Sequence, residues 1–545
     1  MFAIAGETAW PYRLLGLLLH GALVLAGWRI AAKGLPPARA ALAAAIFAVH
    51  PVHSEAVGDV ANVGEMGAAL LSFLLLSRVL GRAGAPSPGA LALDGLLFLA
   101  ALLAKESAAG TLPVVALAAF LPPAGDPRRK GRTLVLLPLL VALLADLALR
   151  TAALGFLHPR YLPTNQIENP LIFEPPGVRV PTAARVLVHG LGLLAFPWRL
   201  SADYSLETFR LSPGPLEPAA LGSFALLLAL PAAALLLRRS RPASSLFLLA
   251  CLASFAPASN LLFPAGTIFA ERHLLVPSLY FTIALLGLLP PGPSGPIPRS
   301  LAGVLLAAFA ARAAARATEW RSDAGLTEVT SRRDSPRSVR LLYNLAGERW
   351  KAKDPRGARE ALERALSIHP AFYQARTRLG LYRLDSGDEE GGVRDLREGL
   401  REALASFPGP SAHWSSAAST FTDALARRIG RAAEAVEYWR AFLAEFPGSP
   451  DARIELAHAL DLAGLPGAEE ELRAAARHRG GARILLSQRL PLDRRNEVAL
   501  AALREAPPPG EGWDARAQVL FAEGQTLLSL ARFGEAAAAF EGSLD

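Results

Sequence analysis

Residues 217–237 read EPAALGSFALLLALPAAALLL. This stretch carries one charged residue, Glu217, at its first position. A helix needs roughly 20 apolar residues to cross the hydrocarbon core of a bilayer. The segment therefore predicts a membrane-spanning helix.

Nine further apolar runs precede residue 318, several of them short and separated by Pro- and Gly-rich breaks such as Pro36-Pro37 and Pro122-Pro123. With 217–237 they predict ten spans, at 12–31, 36–50, 60–80, 89–104, 107–121, 133–150, 217–237, 243–263, 271–289 and 299–317. The expected fold class is all-α, with a polytopic transmembrane bundle in the first part of the chain.

Composition divides the chain near residue 318. Of the 545 residues 52% are hydrophobic and 19% are charged, and the charges concentrate after position 318. The net charge of +8 is largely arginine, which in a membrane protein indicates cytoplasmic loops rather than nucleic-acid binding. The single cysteine, Cys251, excludes an intramolecular disulfide.

The basic residues predict the orientation of the bundle. They cluster in four places, which the positive-inside rule assigns to the cytoplasm: Arg29, Lys33 and Arg39; Arg78 and Arg82; 128–132; and 238–241. The opposite face then holds residues 1–11, 50–59, 105–106, 151–216, 260–272 and everything after 318. The apolar segment 182–199 would break this parity as a span, so it is interpreted as a helix in the outer interface. The alternative is that it spans and one of the short runs does not.

The last part of the chain repeats with a period of 34 residues, which is typical of tetratricopeptide (TPR) helix pairs. Leu345 recurs as Leu379, Leu362 as Leu396, and Leu366 as Leu400. We therefore expect a transmembrane domain over 1–317, a linker over 318–338, and a TPR solenoid of four to six units over 339–545. Such arrays usually bind extended peptide, and the last unit is expected to be truncated.

The first polar cluster lies between two apolar runs and contains His50, His53, Glu55 and Asp59. Three interpretations are open at this point. The two histidines could hold a metal, the side chains could fix an interfacial turn, or the cluster could bind a substrate.

Three further clusters fall on the same predicted face. Lys105 and Glu106 form either a structural ion pair or a phosphate site, and Asp203 follows an aromatic segment that suits an interface anchor. Glu271 and Arg272 open a predicted span, and Arg272 suits either a substrate phosphate or a lipid headgroup. Ten spans that bring polar clusters to one outer surface favour a functional site there.

Taken in order, these clusters resemble one family. The sequence shows HPVHSE at 50–55, LAKE at 103–106, FPWRLSADY at 196–204, NLLFP at 260–264 and AERHLLVPS at 270–278, followed by the repeats. This order, from about residue 12 to the end, resembles the transmembrane-and-TPR-repeat (TMTC-type) O-mannosyltransferases and their bacterial relatives.

The resemblance implies a GT-C-type glycosyltransferase of a bacterial plasma membrane. Such an enzyme transfers a sugar, typically mannose, from a polyprenyl-phosphate donor to Ser or Thr of a protein on the non-cytoplasmic face, where the TPR domain binds the acceptor. It implies Glu55, Asp59 and Glu271 as catalytic candidates. The implied substrate-binding residues are His50, His53, Lys105, Glu106, Asp203 and Arg272. No metal ligand is assigned and no cofactor is certain, the polyprenyl-phosphate-linked sugar is the donor substrate, and the need for a divalent metal is left open.

The chain departs from the family at its start. Relatives carry a further span and an outer loop with an acidic pair, the usual candidate for the general base, and Glu7 is not matched to that pair. We therefore expect the chain to lack the first span and first outer loop. A membrane-anchored TPR scaffold without catalysis is the alternative function, and a flippase or polymerase of lipid-linked glycans is a third.

Overall fold

The computed structural model describes residues 8–82, 84–121, 128–154, 167–289, 299–406, 412–478 and 532–544, with short stretches between 482 and 531. The chain divides into two compact units, Met1–Glu348 and Arg349–Asp545. The described residues are helical and contain no strand beyond one isolated bridge between Leu206 and Phe209. The all-α prediction is confirmed.

Unit 1 is a bundle of apolar helices. These are α1 (Ala9–Ala31), α2 (Pro37–Val49), α3 (Ser54–Gly58), α4 (Val63–Gly81), α5 (Pro88–Ala104), α6 (Thr111–Phe120), α7 (Arg128–Thr133), α8 (Leu136–Leu154), α9 (Pro176–Ala195), α10 (Pro218–Leu237), α11 (Pro242–Phe255), α12 (Leu275–Leu288) and α13 (Arg299–Glu319). Several begin with proline in the first turn, where its missing N–H costs no helical hydrogen bond.

The outer helices of unit 1 expose their large apolar side chains. Leu137 on α8 is 70% exposed, and Leu228 and Leu236 on α10 are 71% and 84% exposed. Monomeric soluble proteins rarely expose contiguous apolar patches of this extent, whereas lipid chains cover such surfaces. The chain is therefore a membrane protein.

The prediction of ten spans exceeds what the structure supports. Six helices among the described residues are long and apolar enough to cross a membrane, or seven if the bent pair Pro37–Val49 and Pro51–Gly58 is one span. Five coincide with predicted spans, at Trp10–Ala31, Val60–Gly81, Gly131–Ala153, Pro218–Leu237 and Ser300–Glu319, and the sixth is Pro176–Ala195. The other predicted spans are shorter helices. Those predicted at 107–121, 243–263 and 271–289 overlap the 3-10 segments Glu106–Gly110, Ala256–Ala258 and Glu271–Leu274.

Four 3-10 turns gather at one end of the bundle, called here the site end. They are Pro51–His53, Glu106–Gly110, Ala256–Ala258 and Glu271–Leu274. The packing is close: a Cβ added at Gly110 would approach the carbonyl oxygen of Ser254 to 2.8 Å. Irregular backbone at membrane depth is tolerated where protein buries it or where it lines a cavity. Of the residues in the polar clusters, His53, Glu106, Glu271 and Arg272 lie within these turns.

Basic residues mark the opposite end. Arg39 and Arg241 both donate to the carbonyl oxygen of Leu289, Arg132 donates to that of Leu80, and Arg82 pairs with Asp94. The arginines from separate loops thus share one end of unit 1, as the positive-inside pattern predicts for a single membrane face.

Helix α9 (Pro176–Ala195) contains most of the apolar segment 182–199, for which the sequence allows either an interfacial helix or a span. Asn169, just before it, donates to Asn260 at 2.9 Å, and the carbonyl oxygen of Leu194, at its end, contacts His50 Nε2 at 3.1 Å. Both partners belong to the site end. The helix is long enough to span, but these contacts favour a position along that end of the bundle.

The segment expected as a linker, 318–338, is folded within unit 1. It contains α14 (Asp323–Val329) and a π-helical turn, Thr330–Asp334. Ser335 and Ser338 are buried and hydrogen-bond to Ser201 and Asp203. Residues 335–338 are therefore part of the structure around the site.

Helical hairpins form unit 2. After α15 (Val339–Lys351), which crosses the unit boundary, come α16 (Pro355–Ile368), α17 (Tyr373–Asp385), α18 (Glu389–Ser406), α19 (Ala412–Asp423), α20 (Ala432–Glu445), α21 (Pro450–Leu462), α22 (Ala468–Ala476) and α23 (Phe533–Leu544). The leucines of the 34-residue period are buried, among them Leu362, Leu396 and Leu400 at 0%, 1% and 0% exposure. The period therefore marks the core of the array. Within the last predicted repeat unit, Gly524 and Asp545 lie outside the described residues.

Truncation of one periodic leucine should destabilise the array. We expect Leu400→Ala to cost about 2–5 kcal/mol, because it leaves a cavity in a packed core. Thermal unfolding of the full chain in detergent measures this loss. Leu465→Ala, at a position 43% exposed, is the matched control, and equal melting temperatures of the two variants would contradict the core assignment.

Candidate functional site

An ion pair between Glu55 and Arg272 joins α3 to one of the 3-10 turns of the site end. Glu55 lies in the first turn of α3, and Arg272 lies in the 3-10 turn that precedes α12. The Arg272 guanidinium donates to Glu55 Oε1, and the Arg272 backbone N–H donates to Glu55 Oε2 at 3.0 Å. The Glu55 side chain is 5% exposed and that of Arg272 is 25% exposed. The pair is thus held on both carboxylate oxygens and remains open to solvent on the arginine side.

This pair faces a small cavity of about 110 Å³, called here the Arg272 cavity. Its charged lining consists of Glu55, Glu168, Asp203, Arg272 and Arg340. Two guanidinium groups and three carboxylates therefore meet in one opening at the site end. Such a set can hold a phosphate and accept a proton within the same small volume.

Asp203 is held in place by residues near the start of α15. Its carboxylate accepts hydrogen bonds from Ser338 and Ser205, each at 2.5 Å, and pairs with Arg340 at 2.6 Å. The side chain is buried. Asp203 therefore fixes the wall of the cavity and has little capacity left to bind a substrate itself.

Glu271 is fully buried beside the cavity rather than on its wall. Its Oε1 accepts from the hydroxyl of Tyr204 at 2.7 Å and from the Ser201 backbone N–H at 2.5 Å. Burial raises the pKa of Glu271 to about 8, against the opposing charge of Arg316 and the two hydrogen bonds. Burial thus favours the protonated form of this carboxyl group, and its hydrogen bonds to Tyr204 and Ser201 orient the 201–204 loop.

The two histidines are directed at protein partners. His50 Nε2 contacts the Leu194 carbonyl oxygen at 3.1 Å, and His53 Nε2 contacts Ser278 Oγ at 2.9 Å. Both rings are buried. The part of the chain that the structure describes holds no group of three His, Cys, Asp or Glu side chains placed for a metal. These contacts favour the interpretation that the histidines fix the turn.

The remaining predicted residues lie outside the cavity. Asp59 accepts from the Ala61 backbone N–H at 2.9 Å and so caps the turn Val60–Asn62. Lys105 and Glu106 pair with each other at 3.6 Å, with side chains 40% and 66% exposed. The structure thus brings Glu55, Asp203 and Arg272 together in the Arg272 cavity. Asp59, Lys105 and Glu106 are not part of its lining.

Four residues of the site were missed as candidates from the sequence. Tyr204 and Ser201 stand within a noted stretch, but nothing in that stretch singles them out. Glu168 and Arg340 carry no sequence signal, since they are distant in the chain and meet only through folding. Their charges complete the lining of the Arg272 cavity.

Comparison with known proteins relates the chain to one group of enzymes. It is 30% identical over 298 residues to the mouse protein O-mannosyl-transferase TMTC3, and equally to the human protein, covering 50% of this chain and 32% of each relative. It is 35% identical over 129 residues to the Drosophila melanogaster protein O-mannosyl-transferase Tmtc1, covering 23% of this chain and 15% of that protein. The chain thus spans about a third of the length of the TMTC3 relatives.

No protein-family model matches the chain. Among solved structures, yeast Tom70 aligns with 92% of both chains at 13% identity and a TM-score of 0.27. MamA aligns with 38% of this chain and 90% of its own at 16% identity and a TM-score of 0.18. These values are too low to support a structural conclusion.

Proposed function

We propose that the chain is a membrane glycosyltransferase that moves a sugar, mannose by analogy with its relatives, from a polyprenyl-phosphate donor to Ser or Thr of a protein acceptor. The observation that carries this proposal is the Glu55–Arg272 pair on the wall of a cavity at the site end. The similarity to named O-mannosyl-transferases supports the reaction class.

Arg272 binds the phosphate of the donor in this proposal. A guanidinium offers a planar fork that matches phosphate oxygens, and the Arg272 side chain is the partly exposed member of the pair. As the sugar leaves, negative charge builds on the phosphate oxygen that held it, and a cation at that position lowers the barrier. Arg340 lines the same cavity and pairs with Asp203 at 2.6 Å, so it is a second cation near the phosphate.

Glu55 accepts the proton of the acceptor hydroxyl. A donor phosphate on Arg272 competes with Glu55 for the guanidinium, which leaves a carboxylate oxygen of Glu55 to accept a hydrogen bond from the acceptor hydroxyl. The acceptor oxygen then bonds to the anomeric carbon of the sugar as the bond from that carbon to the phosphate oxygen breaks. The hydroxyl proton moves to Glu55, and the polyprenyl phosphate leaves as the anion.

In this proposal the helical array binds the protein acceptor. Stacked helix pairs form extended surfaces that bind peptides, and α15 follows directly from the segment that packs on Asp203. We place the chain in a bacterial plasma membrane with the array on the non-cytoplasmic face, because the basic end of unit 1 suits the cytoplasm.

The test is transfer of radiolabelled mannose from polyprenyl-phosphate mannose to protein, in membranes that contain the full chain. We expect transfer by the native chain and a loss of at least about 100-fold for Glu55→Gln, because a general base contributes about 10²–10⁴-fold. Asp59→Asn, a carboxylate of the same segment that only caps a turn, is the matched control and should retain activity. Equal activity of Glu55→Gln would remove Glu55 from the mechanism. Absence of transfer by the folded native chain would favour the non-catalytic scaffold.

A further inference from the structure

A second and larger cavity lies in unit 1, between the end of α13 and the loop that follows α9. Its volume is about 900 Å³. Aromatic side chains form one part of its lining and arginines another, with Trp198, Tyr204, Phe209, Arg199 and Arg312 the main contributors. Tyr204 also lines the Arg272 cavity, so the two cavities share this residue. The proposed reaction uses none of the arginines here.

The charge of this cavity is only partly neutralised. Glu319 and Asp334 are both engaged by Arg333 and by the buried Arg316. Within the described residues no carboxylate lies at ion-pair distance from Arg199 or Arg312. Arg312 makes one hydrogen bond there, from Nε to the Trp198 carbonyl oxygen at 3.2 Å. Two guanidinium groups therefore remain available to an anion.

Polar atoms on the same wall also lack partners. The hydroxyl of Thr208 and Nε2 of His189 are buried without a hydrogen-bond partner in the described structure. Buried polar atoms of native proteins are normally satisfied by protein, water or ligand. They can contribute hydrogen bonds to an anionic group that the two arginines attract.

An exposed apolar stripe on α13 leads to Arg312. Leu301, Leu305 and Ala308 precede it at spacings of four, three and four residues, which places all four on one helical face. Leu301 is 60% exposed and Leu305 is 38% exposed. Arg312 stands about 10 Å before the end of the helix at Glu319, from a rise of 1.5 Å per residue. The stripe runs from Arg312 toward the start of α13, along a helix that is long and apolar enough to cross a membrane.

We propose that this cavity binds the phosphate of a membrane lipid, with Arg199 and Arg312 on the phosphate and the lipid chain along Leu301, Leu305 and Ala308. The exposed aromatics Phe196 and Trp198 fit the headgroup level at which such a phosphate lies. An acidic peptide would satisfy the arginines, but it would leave the apolar stripe without a partner. The site is separate from the proposed transfer at Arg272 and does not depend on it.

Lipid retention by the purified full chain tests this site directly. Native mass spectrometry in detergent would compare phosphatidylglycerol, phosphatidylcholine and a polyprenyl monophosphate, with soluble glycerol 3-phosphate as the arm that lacks a lipid chain. We expect at least tenfold greater retention of an anionic lipid phosphate than of phosphatidylcholine, and no competition from equimolar glycerol 3-phosphate. Preference for phosphatidylglycerol or for the polyprenyl phosphate identifies which lipid supplies the group, and either preference supports the site.

Matched variants locate the binding. R199A/R312A should lose the preference for anionic lipid, R199K/R312K should keep part of it, and L305E should weaken retention by interrupting the stripe. The control is R238A/R239A, two exposed arginines just after α10, which should bind as the native chain does. Unchanged retention in R199A/R312A, or effective competition by glycerol 3-phosphate, would overturn the proposal. Because no readout depends on sugar transfer, failure of the enzyme assignment leaves this result unaffected.

Discussion

Arg272→Ala is expected to reduce sugar transfer by at least about 100-fold, since one preorganised group that stabilises developing charge is worth about 10²–10³ in rate. The same change should destabilise the protein, because it leaves Glu55, 5% exposed, as a buried charge without its cation. Breaking a buried ion pair costs about 3–5 kcal/mol. The partial exposure of Arg272 places the expected cost at the lower end of that range. The measurements are mannose transfer in membranes and the melting temperature of the purified chain.

A double variant separates the two effects. In Glu55→Gln/Arg272→Ala the unpaired charge is gone, so we expect most of the lost stability to return. Transfer should stay absent, because neither the phosphate partner nor the base has been restored. Arg272→Lys keeps the charge without the bidentate geometry, so intermediate activity is expected. If the double variant recovered transfer together with stability, Arg272 would be structural and the phosphate assignment would be lost.

The fold could be predicted from the sequence where the same residue recurs at a fixed spacing. The leucines at a spacing of 34 identified the buried positions of the helical array, because equivalent positions of successive helix pairs are buried and carry the same residue. Apolar run length likewise located the helices of unit 1. It overcounted the long ones, because a hydropathy window does not detect a 3-10 turn such as Ala256–Ala258, whose neighbours are themselves small or apolar.

Only part of the candidate site could be predicted from the sequence. Each polar cluster stood out locally as a costly interruption of an apolar run, but the pairing of Glu55 with Arg272 joins positions 217 residues apart. Composition indicated that 318–338 is polar, yet it could not show that Ser335 and Ser338 reach the 201–205 loop. The sequence alone does not distinguish an exposed serine in a linker from a buried serine in a hydrogen-bond network, because the hydrogen-bond partner is distant in the chain.

Glu271 should make the stability of the protein depend on pH. The folded protein raises the pKa of this carboxyl to about 8 from a reference value of 4.5, mainly because burial disfavours the charge. Between those values the folded state retains a proton that the unfolded chain has lost, so stability falls as pH rises through the window. The contribution is fully present below about pH 4.5 and is lost by about pH 8.

Glu271→Gln, which is neutral at every pH, should remove this dependence. We expect the native chain and the variant to melt at similar temperatures near pH 5, and the variant to melt several degrees higher at pH 9, given about 2–4 °C per kcal/mol for domains of 150–250 residues. Glu106→Gln, 66% exposed at the same end of the bundle, is the control and should follow the native profile. Because Tyr204 and Ser201 both donate to Glu271, Gln at this position keeps one acceptor oxygen for them. Parallel profiles of the native chain and Glu271→Gln would show that the carboxyl group is already ionised in the fold, with Arg316 as the cation that compensates it.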